Sequence, residues 1–204
     1  MSLIQKNIYK GSMKKYIFLF TFLMIFGSIN LFSQNVFFKL NGGISLPIGK
    51  MSDSIKMGFG GLLTSGYDFD ENVAITLTTG YLYFPGKEIV TLAALNTTKI
   101  GVTPILLGTK YSTAFGDLLK AYAKFEIGVF VMKTTQTSKI IDLDYKEASA
   151  TNTETKFGLV PSLGAEYKIN NNIAIDSNFS FNYLATEDKP TQWLGIFAGI
   201  KYTL

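Results

Sequence analysis

The last thirteen residues, Gln192 to Leu204, alternate without a break. Leu194, Ile196, Ala198, Ile200, Tyr202 and Leu204 fall on one side; Trp193, Gly195, Phe197, Gly199, Lys201 and Thr203 fall on the other. A period of two places successive side chains on opposite faces of an extended strand and cannot be met by a helix. One face is apolar and the other carries glycines, a lysine and a threonine. Such a segment needs apolar surroundings on one side only, and it is long for a strand of a soluble sheet.

The same alternation recurs upstream, predicting strands over about 35–46, 57–69, 73–84, 99–111, 119–133, 154–168 and 173–184. The first sets Val36, Phe38, Leu40, Ile44 and Leu46 against Phe37, Lys39, Asn41, Gly43 and Ser45, and Pro47 is expected to end it. The fourth places Ile100, Val102, Pro104 and Leu106 opposite Gly101, Thr103 and Thr109; a proline there is awkward, since it cannot donate to a ladder. Connections after strands two, four and six are short, whereas 47–56, 85–98 and 134–153 are longer and polar. The stretch 134–153 either extends its hairpin or forms a mobile loop. Eight antiparallel strands of roughly 12 residues exceed slightly the ~9–11 that cross a bilayer when tilted. Alternating short turns and long loops is the asymmetry of membrane barrels, and Tyr67, Phe69, Tyr81, Tyr83, Tyr167, Tyr183 and Tyr202 near strand ends suit interfacial girdles. The fold class expected is therefore an all-β, eight-stranded antiparallel up-and-down transmembrane β-barrel. A soluble, lipocalin-like ligand-binding barrel has the same alternation turned inside out. Strand length and a polar face of Gly, Ser, Thr and Asn, with little charge, weigh against it.

Ahead of the strands, Lys14-Lys15 precede eleven largely apolar residues, Tyr16 to Phe26, and a small polar stretch ends near Ser33-Gln34. This predicts a secretory signal peptide over 1–33 and a barrel domain over 34–204. If Met13 is the start, 1–12 are an upstream extension. An uncleaved anchor would need about 20 apolar residues. The formal charge of +4 comes from Lys6, Lys10, Lys14 and Lys15, so residues from 34 onward are neutral. A neutral chain without arginine lacks the basic footprint of nucleic-acid binding. With no cysteine there is no disulfide, lipid anchor or thiolate chemistry.

The segments Ile100-Gly-Val-Thr-Pro-Ile-Leu-Leu-Gly-Thr-Lys-Tyr111 and Leu119-Lys-Ala-Tyr-Ala-Lys-Phe-Glu-Ile-Gly-Val-Phe130 resemble the central strands of small porin-like outer-membrane β-barrel proteins. In that pattern Pro-x-x-x-Gly-x-Lys-Tyr is followed by Tyr-x-x-x-x-x-Gly, so Pro104 belongs to it. Gly199 and Tyr202 resemble the C-terminal signal of such barrels, with Leu204 in place of the usual terminal Phe. The resemblance implies location in the outer membrane of a bacterium and contact with its lipid. It also implies engagement of the barrel-assembly machinery through the last strand, and a monomer.

Chemistry is sparse. Outer-membrane barrel enzymes resemble one another in relying on histidine, and this chain has none, which removes the usual general base. Glu126, Glu166, Asp176, Lys39, Lys124 and Lys201 all fall on the inward register. They read either as a polar channel or as a plug of paired charges, and eight strands leave an interior only wide enough for side chains. Gly43 to Met51 misspaces a phosphate loop and has Met where Ser/Thr is required. Asp142, Asp144 and Glu147 could meet a divalent cation or form a solvated loop. No catalytic, cofactor-binding or metal-binding residue is expected. The function expected is non-enzymatic: envelope structure or surface interaction through the loops. The alternatives are a narrow porin or transporter, or the soluble ligand-binding barrel.

Overall fold

In the computed structural model the described residues are 35–91, 94–140, 147–186 and 190–204. The signal peptide expected over 1–33 lies outside them, as do Asp142 and Asp144. The strands are β1 (Val36–Ile48), β2 (Gly58–Asp68), β3 (Val73–Phe84), β4 (Glu88–Thr91), β5 (Ala94–Phe115), β6 (Leu119–Ile140), β7 (Glu147–Lys168), β8 (Ile173–Leu184) and β9 (Thr191–Thr203). Among the described residues a single short helix, α1 (Met51–Ser54), follows β1. Neighbours pair antiparallel in the order β3-β2-β1-β9-β8-β7-β6-β5, and a β3–β5 ladder closes the ring. The result is an eight-stranded up-and-down barrel, with β4 paired to β5 outside the ring.

The outer surface carries the apolar half of each alternation. Leu40 is 67% exposed, with Leu63, Leu77, Leu107, Phe125, Leu163 and Ile200 exposed around the ring. Inside, Lys39, Glu126, Glu166 and Asp176 are buried. A water-soluble barrel would invert this polarity, so the lipocalin-like alternative is set aside. Tyr67, Phe69, Tyr111, Phe115, Tyr167 and Tyr202 lie toward the short turns, and Phe59, Tyr81, Tyr83 and Phe157 toward the long connections. These are the two aromatic girdles.

Three expectations need correction. Pro47 does not end β1: it pairs with Trp193 of β9 beyond the last β1–β2 pair, Ser45 with Gly58, so its missing N–H faces no partner strand. In β5, Val102, Pro104 and Leu106 turn inward, and Ile105 and Leu107 face out. The segment 85–98 is not an open loop, because Glu88–Thr91 pairs back onto 94–97.

The segment 134–153 extends its hairpin: β6 and β7 stay paired from Leu119–Tyr167 up to Lys139–Glu147. Strands β5, β6 and β7 each run 22 residues, against 11 to 13 for the other ring strands, so a sheet projects above the barrel on one side. Pro104 and Pro161 interrupt a ladder on one side only. Pro104 keeps its β6 partner Phe130 while the β3 ladder skips from Thr79 to Leu82; Pro161 keeps Phe125 while the β8 ladder skips from Leu159 to Ser162. Register is unchanged across both gaps, because only the absent donor is lost.

Candidate functional site

The interior holds every candidate charge described, and its two halves differ. Toward the short turns, inward positions of β1, β5, β7, β8 and β9 bring together Lys39, Lys110, Glu166, Asp176 and Lys201. Glu166 meets Lys39 at 2.7 Å, Lys110 at 3.0 Å and Lys201 at 3.0 Å. Lys39 also meets Asp176 at 2.6 Å, whose carboxylate accepts from Asn41 Nδ2 at 2.7 Å and Tyr122 Oη at 3.0 Å. Half-buried Asp68 lies 3.9 Å from Lys110 and 3.7 Å from Lys201. Three lysines thus face three carboxylates, and no charge in the group is alone.

The ammonium groups also rest on rings. Lys110 and Lys201 Nζ sit 4.6 and 4.3 Å from the Phe37 centroid, and Lys39 sits 4.3 Å from that of Tyr122. Such contacts strengthen when desolvated, as here. Phe37 occupies the space over Gly66, where a Cβ would lie 2.2 Å from its ring; only glycine leaves room for this ring.

Further along the lumen Glu126 forms a second group. It accepts from Thr78 at 2.6 Å and Thr76 at 3.0 Å and meets Lys124 at 2.8 Å. Thr64 and Thr78 share a hydrogen bond of 2.8 Å alongside. The six inward charges read from the sequence therefore divide: Lys39, Glu166, Asp176 and Lys201 meet, and Glu126 with Lys124 stands apart. Lys110, Asp68 and Tyr122 were missed as members. The signal for Lys110 was parity with Pro104 and Gly108: a lysine on that face requires the whole face to turn from lipid.

Toward the long connections the lumen is apolar. Leu82, Phe84, Val102, Phe130, Met132, Leu184 and Trp193 pack together, with Ile55 entering from the segment after α1. Phe84 and Phe130 meet Trp193 edge-on, centroids 5.6 Å away in each case. Ile55 is held by a bridge to Gly86, with Lys56 N–H donating to Pro85 O and Lys87 N–H to Ser54 O. The cavity left between the two halves is about 30 Å³, room for roughly one or two waters. A shallower polar recess of about 260 Å³, lined by Asp117, Lys120, Lys168 and Asn170 among others, opens at the short-turn end.

Among the described residues no group of three or more His, Cys, Asp or Glu is placed to hold a metal ion. Among the described residues the inward carboxylates Glu126, Glu166 and Asp176 all accept from ammonium, hydroxyl or amide donors.

Residues 18–202 match the family described as outer membrane protein beta-barrel domain. An uncharacterized protein of Haemophilus influenzae is 27% identical over 163 residues, 79% of this chain and 84% of that protein. Among solved structures, Neisserial surface protein A is similar at a TM-score of 0.54 and 13% identity, covering 83% of this chain and 97% of that one. A major outer membrane protein of Thermus thermophilus is similar at a TM-score of 0.54 and 12% identity, covering 83% and 99%. OprG of Pseudomonas aeruginosa is similar at 0.50 and 14%, covering 84% and 97%. At these identities the structural likeness concerns the fold.

Proposed function

The chain belongs to the outer membrane protein β-barrel domain family, and from that premise we propose a closed, non-enzymatic barrel that acts through its surface rather than through its lumen. The outer membrane is its location, and lipid is its surroundings. The observation that carries the proposal is the filled interior: a cork around Trp193 in series with the ionic group around Glu166. A solute would have to displace both. The absence of histidine and the pairing of each inward carboxylate support the non-enzymatic part. What remains for function is the sheet of β4 to β7 projecting above the barrel, the variable, solvent-facing part of such architectures. We extend the proposal to cleavage of 1–33, to assembly through β9 and to a monomeric barrel.

Planar-bilayer recording tests it. Purified, refolded protein should give no stepwise conductance. Discrete, reproducible openings would overturn the closed lumen and favour the narrow transporter.

A further inference from the structure

The charges buried in the lumen are paired, but those on the rim of the recess at the short-turn end are not. Asp117 lies in the turn between β5 and β6, Lys120 is the first inward residue of β6, and Lys168 is the last residue of β7. All three are exposed, and none has an opposite charge within 4.0 Å among the described residues. Their cross-strand neighbours explain why. Lys168 opposes Ala174. Lys120 opposes Ala114 and Glu166, and that carboxylate is taken by Lys39, Lys110 and Lys201.

Hydrogen bonds between neighbouring elements hold the recess in shape. Lys168 N–H donates to Leu118 O at 2.7 Å, which ties the turn after β5 to the end of β7. Thr203 N–H donates to Asn172 O at 2.8 Å, and Asn172 Nδ2 donates back to Thr203 O at 2.9 Å, which ties the turn after β7 to the end of β9. A site with fixed walls loses little binding free energy to ordering. Its volume of about 260 Å³ is below the ~300 Å³ at which drug-sized sites begin, so it admits a small group and not a folded chain.

Charge narrows the choice of guest. Lys120, Lys168 and Lys201 in the lining balance Asp68, Asp117 and Glu166, so the recess is neutral overall with both signs at its rim. A simple anion would meet Asp117, and a simple cation would meet Lys120 and Lys168; such like-charge contacts reject a partner as effectively as opposite charges attract one. A guest carrying both signs avoids either penalty. Asn170 engages its own turn through Oδ1, so its Nδ2 is a further donor at the rim.

We propose that this recess binds a free amino-acid head, an ammonium and a carboxylate on one carbon. Asp117 would take the ammonium, and Lys120 and Lys168 would take the carboxylate. Short turns face the periplasm in this architecture. Two sources present such heads there: free amino acids, and the diamino acid of cell-wall peptides where it is not cross-linked. The proposal rests on insertion in the membrane and not on the closed lumen, so conductance and binding can fail separately.

The test uses the whole barrel refolded in octyl glucoside, a detergent without charge, and isothermal titration calorimetry. The probes are meso-diaminopimelate and a muramyl tripeptide that ends in it. Wild type should bind both. Tighter binding of the tripeptide assigns the site to the cell wall, and equal affinities assign it to free amino acids. D117N and K168Q should each weaken binding about fivefold, the upper end of what a partly exposed ion pair gives, and the double variant roughly 25-fold. The tripeptide acetylated on its free ammonium should bind weakly and be indifferent to D117N. K50Q/K56Q, which removes two exposed lysines from the connection after β1, should bind as wild type. Heat-dependent gel mobility confirms that each variant is folded, and the single variants stand in for the double one if it is not. Absence of binding by both probes at about 10 mM, wild-type affinity in D117N and K168Q, or undiminished binding of the acetylated tripeptide would overturn the proposal.

Discussion

Glu166 accepts from three ammonium groups within 3.0 Å in an interior where it is 5% exposed. Replacing it by Gln leaves Lys39, Lys110 and Lys201 facing only Asp176 and Asp68. Removing one member of a buried ionic group typically costs about 3–5 kcal/mol, because the remaining charge stays desolvated without its partner. The stability of E166Q in lipid vesicles, read from its urea unfolding curve, should fall by that amount. Adding K110M, which removes one of the stranded cations and keeps its length, should restore part of it. If E166Q unfolds at the wild-type midpoint, the network is solvated and the lumen is wetter than its 30 Å³ cavity implies. Substitution of Glu126 should be milder, since two threonine hydroxyls can turn to hydrogen-bond a neutral amide.

The elements repeat one device at the short-turn end. In Asp70-Glu71-Asn72 the Asp70 Oδ1 accepts from Asn72 N–H at 2.7 Å and Val73 N–H at 2.8 Å. In Asn170-Asn171-Asn172 the Asn170 Oδ1 accepts from Asn172 N–H at 2.9 Å and Ile173 N–H at 2.8 Å. The two hairpins close alike, but only the first titrates: those backbone donors hold the Asp70 carboxyl below its usual range. A carboxyl depressed on folding contributes stability that is present above its unfolded pKa and lost as pH falls through the folded one. D70N should therefore fold like wild type at neutral pH and lose that acid dependence, and D70A should be less stable at pH 7. Heat-dependent mobility against pH for the three proteins reads this; a D70A curve parallel to wild type into acid would refute it. Both turns were legible in sequence, as were β3 and β8, whose bounds match the expected 73–84 and 173–184. The projecting sheet was legible only as one of two readings of 134–153, because Thr-rich 134–140 and 147–153 have no apolar face and are held by the backbone ladder with a few hydroxyl contacts such as Thr135 with Thr151. The orientation of β5 was hidden for a related reason. Apolar side chains occupy both its faces, and only Lys110 marks which one is inside.

At the scale of the whole molecule the two lumen halves act in series, so opening one should not open the barrel. W193A removes the ring against which Phe84 and Phe130 pack, at a typical cost of about 3–5 kcal/mol for a buried aromatic. It leaves Glu166 and its lysines in place below. Conversely, E166Q with K110M and K201M neutralises much of the lower group and leaves the apolar cork above. Each variant alone should stay silent in planar bilayers, and their combination should conduct weakly. The interior of eight strands is just wide enough for side chains, so either the apolar cork or the ionic group left intact should block it. Openings from W193A alone would show that the ionic layer passes ions, and would move the functional reading from the surface to the lumen. Silence from the combined variant, still folded by heat-dependent mobility, would place the barrier in the middle layer of Glu126, Thr76 and Thr78.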